Sequence, residues 1–136
     1  MAQPTNHIRR SFIYRQLNAA GAEFVDLADA AIASKFPNEG DATKLGLADL
    51  SPLPRTGFKG PQALAWLAGH DVAIPSLNNT ATPQSDGSLV VRLADTEGLV
   101  LSDLKSQSDT VARLETLTPT SGCYPVSRND TYFWFL

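Results

Sequence analysis

Apolar and polar positions follow their most regular pattern in SDGSLVVRLADTEGLVLSDL, residues 85–104. Leu89–Leu93 and Leu99–Leu101 are β-rich runs, and Asp95-Thr96-Glu97-Gly98 joins them. This predicts an antiparallel hairpin in which Gly98 supplies a positive φ. Around it the apolar period lengthens to that of helices. Ser11 caps a predicted helix over 12–20 that Gly21 ends, with Ile8, Phe12, Ile13 and Leu17 on one stripe. Pro61 suits the first turn of a second helix, 61–68, which turns Leu64 and Leu67 inward, carries Trp66 at its flank and stops at Gly69. Ser108 or Asp109 caps a third over 108–117, with Val111, Leu114 and Leu117 on one face.

The remaining segments are less regular. A short strand is expected at 22–27, followed by an irregular or helical turn through the alanine-rich 28–36 and a loop over 37–46. LGLADLS, 45–51, reads as a strand that continues across a kink at Pro52 and Pro54 into 55–60. Residues 70–87 read as a long loop with one extended piece at 72–74, and 118–125 as another loop. TYFWFL, 131–136, reads as a strand. The expected fold is α+β: an antiparallel sheet including 88–93, 98–102 and 131–136, with flanking helices. Residues 1–10 are expected to form a flexible tail, frayed over 1–7, and 11–136 a single domain.

Composition narrows the function classes. Eleven Lys and Arg against fourteen Asp and Glu give a net charge of −3, which argues against nucleic acid as the main partner. Arg9, Arg10 and Arg15 form the one basic cluster. Such a segment also fits a membrane surface, but Glu23 and Asp26 follow closely, and a first helix docked on the chain's own core is the expectation. No apolar run reaches the roughly 20 residues of a membrane span, and no apolar stretch of a secretory signal follows the arginines. Cys123 is the single cysteine, so no intrachain disulfide forms and a cytoplasmic setting is expected.

Candidate chemistry is sparse. Cys123 has no histidine near it in sequence and reads as structural. His70 and Asp71 are adjacent, but neighbouring side chains point apart, and a histidine complementing a helix end is the better reading. His7 lies in the expected tail. The two histidines have no matching acidic or thiol spacing, so no metal site is expected. GFKGPQ lacks the context of a nucleotide-binding loop. Asp86 and Ser102-Asp103 stand at hairpin ends, where aspartate serves as a turn or cap residue. No catalytic residue is assigned.

Two segments carry a family resemblance. SFIYRQLNAAGAEFVDLADAAIASKF resembles the opening of the glycine-cleavage T-protein (aminomethyltransferase) family, and LGLADLSPLPRTGFKGPQALAWL its next signature. The matching positions are Asp49, Leu50, Ser51, Gly60, Pro61, Ala63 and Leu67. DGSLVVRLADTEGLVLSD resembles the family's following hairpin, and YPVSRNDTYFWFL the approach to its second subdomain. The resemblance covers most of 11–136 and only the first part of that fold, which implies a shortened member or a fragment. Where the family carries an acidic pair, alignment through the hairpin puts Ser88, Leu89 and Val90; an alternative alignment puts Ser102-Asp103 there. The loop SPLPRTG also departs from the family's histidine-containing stretch.

The pattern is most similar to the γ subunit of heterotetrameric sarcosine oxidases. That resemblance implies a noncatalytic subunit binding no cofactor alone. Its partners would be flavin-bearing (FAD or FMN) and folate-binding subunits that hold NAD and tetrahydrofolate. A reduced folate-dependent aminomethyltransferase using Asp103 or Asp86, or a stand-alone folate-binding or assembly factor, is the alternative. In the strand 131–136, Phe133 and Phe135 alternate with Tyr132 and Trp134, so one set needs cover from a subunit, a self-associated copy or further chain.

Overall fold

The computed structural model describes residues 2–40 and 46–129. The chain divides into two compact units, one reaching Leu53 and the other spanning Pro54–Asn129.

The first unit holds a 3-10 turn at Pro4–Asn6, helix α1 at Tyr14–Ala19 and strands β1 at Glu23–Leu27 and β2 at Ala30–Lys35. The two strands pair antiparallel, Val25 opposite Ile32 and Leu27 opposite Ala30. Ala28 takes a φ of 51° in the two-residue turn between them. The alanine-rich 30–35 is therefore a strand, not the irregular or helical turn its composition indicates. Alanine has little side chain to enforce either period, and the backbone ladder decides. Ala30 and Ala31 are buried, and Ala22, Phe24 and Ala31 form a small core that Leu17 and Phe36 flank.

Residues 2–10, read as a tail, are engaged by hydrogen bonds. The Ala2 amide donates to the Phe24 carbonyl (3.0 Å), and His7 Nε2 lies 2.8 Å from Asp26 Oδ1. Arg9 binds the Asp29 carboxylate and the carbonyls of Ser51 and Pro52. Helix α1 is shorter than expected; Ser11 stands before it, its Oγ accepting from the Ile13 amide at 3.2 Å. Gly21 closes it at a φ of 81°, as its position indicates. The docking of this helix is partial, since Leu17 packs half-buried against the small core. Ile8 and Phe12 are 101% and 72% exposed, and α1 has no buried residue. The strand expected at 45–51 reduces, in the described 46–51, to one bridge at Asp49, whose carboxylate accepts from the Ser51 amide at 3.0 Å and turns the chain.

The second unit begins with strand β3, Arg55–Lys59, then helix α2, Ala63–Ala68. Strands β4 (Thr80–Pro83), β5 (Leu89–Ala94) and β6 (Glu97–Leu101) follow, then helix α3 (Thr110–Thr116) and strand β7 (Tyr124–Ser127). All pairings are antiparallel, in the order β4-β5-β6-β3-β7. The α+β expectation with an antiparallel sheet and flanking helices is what forms. Both α2 and α3 touch β3 and β6, and Phe58, Trp66, Leu67, Val90, Val100, Val111 and Leu114 fill the core between helices and sheet.

Four local readings change. Trp66, expected at the flank, is buried against Phe58 with ring centroids 4.7 Å apart, while Leu64 is only half-buried. Gly98 has no positive φ; the β5–β6 turn is Asp95-Thr96, and Gly98 sits within β6. A Cβ there would come within 2.8 Å of Leu67 Cδ1, so glycine lets α2 approach the sheet. The extended piece expected at 72–74 lies instead at Thr80–Pro83. The loop over 118–125 gives way at Tyr124 to β7, which carries Pro125 at an edge of the sheet among the described residues, where a missing N–H is tolerated. The strand read at 131–136 lies outside the described residues.

Candidate functional site

The two carboxylates nominated by the sequence work on their own backbone. Asp86 Oδ1 accepts from the Ser88 amide at 3.1 Å and the Ser88 hydroxyl at 2.6 Å. Its Oδ2 accepts from the Thr110 hydroxyl at 2.7 Å and the Thr110 amide at 3.3 Å. Asp86 thus caps α3 from a distance of 24 residues, whereas Asp109, at the N-cap position, makes no side-chain cap. Burial pushes the Asp86 carboxyl upward, but the hydrogen bonds from Ser88 and Thr110 outweigh it and hold the pKa at about 2. Asp103 accepts from the amides of Lys105, Gln107 and Ser108. Burial again opposes, and these amides win, lowering its pKa. A carboxylate saturated with donors and ionised at neutral pH is a poor general acid or base, because efficient proton transfer needs a pKa near the working pH.

The other nominated groups stay apart. Ser88, at the acid position of the favoured alignment, is fully buried against Asp86. The His70 ring packs on Trp66 at a centroid distance of 4.6 Å, and the His70 carbonyl accepts from Arg113 Nη1 at 3.0 Å. Its neighbour Asp71 is exposed, at a φ of 60°. Cys123 is buried, and desolvation raises its thiol pKa, away from thiolate chemistry. Among the described residues no group of three or more His, Cys, Asp or Glu could hold a metal ion, and no helix is long and apolar enough to cross a membrane.

Two arrangements escape sequence reading. The first is a polar network on β3, β6 and the residues after β7. Arg55, 2% exposed, donates from Nε to the Arg128 carbonyl (2.7 Å) and from Nη2 to the Asn129 carbonyl (2.9 Å). Arg128 lies across Gly57, where a Cβ would meet its Nε at 2.8 Å, and pairs with Glu97. Glu97 also lies 3.5 Å from Lys59 Nζ. A guanidinium held by carbonyls is a structural clamp, joining β3 to the chain after β7.

The second is a cavity of about 330 Å³ between α3 and the β3–β7 edge. Phe58, Leu114, Leu117 and Pro125 supply apolar wall. Thr56, Glu115 and Ser127 supply the polar groups. Thr56 is 4% exposed and lines the cavity beside Phe58. These residues come from segments about 60 positions apart, so no spacing rule in the sequence groups them.

Comparison with known proteins bears on the fold. No protein-family model matches the chain, and no curated protein matches it. Among solved structures, the chain is similar to the glycine cleavage system aminomethyltransferase T from Bartonella henselae, with a TM-score of 0.60 and 20% identity. The likeness covers 90% of this chain but 38% of that one. At such identity the likeness shows a T-protein-like fold and no more, and the chain spans well under half of its structural neighbour.

Proposed function

We propose, from that fold as premise, that the chain is a noncatalytic γ-type subunit of a multisubunit, flavin-dependent, sarcosine oxidase-like enzyme that demethylates an N-methyl amino acid. One observation carries the reading: Asp86 and Asp103, the carboxylates that transfer chemistry on this chain would draw on, are committed to capping α3 and to ordering the loop after β6. They do not fit a role toward tetrahydrofolate. In this proposal folate, flavin (FAD or FMN) and NAD belong to partner subunits, and the chain contributes apolar and polar contact surface to a cytoplasmic complex.

Co-expression with candidate flavin-bearing and folate-binding subunits tests it. The expected result is one co-eluting species that carries flavin absorbance and loses stability or assembly when this chain is omitted. The isolated chain is expected to be colourless and inactive. Folate-dependent aminomethyl transfer by the isolated chain, lost in Asp103→Asn or Asp86→Asn, would overturn the proposal in favour of a reduced aminomethyltransferase. A complex that assembles and turns over equally well without the chain would overturn it too.

A further inference from the structure

We propose that the cavity between α3 and the β3–β7 edge is a binding site for a small alkylammonium ion, a role independent of assembly with partner subunits. Three features of the cavity select that class. Its volume, about 330 Å³, falls at the small end of the roughly 300–1,000 Å³ typical of small-molecule sites. Its wall is largely apolar, with Phe58, Leu114, Leu117 and Pro125 positioned to cover a short hydrocarbon body. Its polar groups then fix what sits at the head of that body.

Thr56 is the inner polar group. Thr56 lines the cavity and is only 4% exposed, so an occupant takes the place of the little water that reaches its hydroxyl. Its oxygen has lone pairs that accept from an ammonium N–H. Glu115 sets the sign. It is the one acidic residue in the lining, and the described lining contains no Lys, Arg or His. A carboxylate or phosphate entering here would lose hydration and meet a like charge, whereas a cation gains a counter-charge near an apolar wall of low dielectric. A zwitterionic amino acid is disfavoured for the same reason, since nothing in the described lining receives its carboxylate.

The test is a two-dimensional amide NMR titration of the full chain with n-butylammonium, n-butanol and butyrate. Butylammonium is expected to shift the amides of Thr56, Glu115 and Ser127 and to bind roughly two- to fivefold more tightly than butanol, the scale of a partly exposed charge pair. Butyrate is expected to leave those amides unmoved. Shortening the alkyl chain should weaken binding roughly fourfold per methylene. Glu115→Gln should erase the preference of ammonium over alcohol without changing alcohol affinity. Thr56→Val should weaken the ammonium roughly three- to tenfold, with the remaining spectrum certifying an intact fold.

Equal binding of butyrate and butylammonium would overturn the proposal, as would an unchanged preference in Glu115→Gln or shifts centred away from the cavity. A short lysine-containing peptide binding tenfold tighter than butylammonium would mean a socket for a partner's side chain and would overturn the assignment to a free amine.

Discussion

The two compact units are held by different physics. In Pro54–Asn129, two short helices close one face of a five-stranded sheet, and Phe58, Trp66, Leu67, Val100 and Leu114 bury large side chains together. Among the described residues of the unit that reaches Leu53, the buried apolar cluster is Ala22, Phe24 and Ala31, around a two-stranded hairpin. A hairpin alone is marginal in water. Polar ties join the described residues of this unit as well: Ala2 to Phe24, His7 to Asp26, and Arg9 to Asp29 and the carbonyls of Ser51 and Pro52. Apolar residues at helical spacing are therefore no guarantee of burial. Ile8 and Phe12 carry the right pattern and stay exposed.

Truncating a core leucine should break the second unit most severely. Leu67 is fully buried beneath Gly98, and Leu67→Ala leaves a cavity that the sheet cannot collapse to fill. The expected loss is in the upper part of the range of about 2–5 kcal/mol. Urea denaturation should show a lower midpoint with an unchanged slope.

Phe24→Ala is the matching cut in the first unit. Its expected cost is about 3 kcal/mol at most, because its neighbours Ala22 and Ala31 are small and can close around the gap. The sharper expectation concerns extent. Hydrogen exchange should lose protection in β1 and β2 while β3, β5 and β6 keep theirs. Loss of protection throughout the five-stranded sheet would show that the units unfold as one and would remove the contrast.

Gly98→Ala probes the same helix–sheet contact from the other side. The added methyl meets Leu67 Cδ1, and overpacking of this kind costs about 1–3 kcal/mol. Combining it with Leu67→Ala should cost less than the two single losses added together, because the shorter residue 67 makes room. Strict additivity would mean that the added methyl and the residue 67 side chain do not meet.

The contrast also explains what was legible. The β5–β6 hairpin and the face of α3 came through because large apolar residues recur at fixed spacing, as with Val111 and Leu114. The face of α2 was read correctly at Leu67 but not at Leu64 and Trp66. β2, β4 and β7 did not come through. Ala30–Lys35 is alanine-rich, Thr80–Pro83 is polar, and Tyr124–Ser127 contains a proline, so backbone pairing rather than side-chain pattern makes each a strand. Asp86 and Asp103 were legible as turn and cap residues. That Asp86 caps a helix beginning at Thr110, instead of Ser108 or Asp109 doing so, was not, because the pairing exists only once β5 and α3 are neighbours. The cavity was hidden for the same reason, since Thr56, Glu115 and Ser127 meet only in the fold.

The smallest expected effect comes from that cap, and it is the most specific in its pH dependence. Asp86→Asn removes a charged acceptor from Thr110 and Ser88, and solvent screening of a half-exposed group keeps the loss to about 1 kcal/mol at neutral pH. The carboxyl has a pKa of about 2 in the folded chain against an ordinary 3.8. A depressed folded pKa means that the unfolded chain takes up its proton first as the pH falls. The stabilisation is therefore fully present above the ordinary value, declines as pH drops below it, and is gone once the folded carboxyl is protonated near pH 2. Asparagine has no such titration. Denaturation midpoints of the two proteins should differ by a constant amount from neutral pH down to about pH 5 and then converge toward about pH 2. Asp103 titrates in the same direction, but it is present in both proteins and cancels from the difference. A gap that stays constant to pH 2 would mean that the carboxylate's charge contributes nothing to the cap, and that any neutral acceptor holding the start of α3 serves equally well.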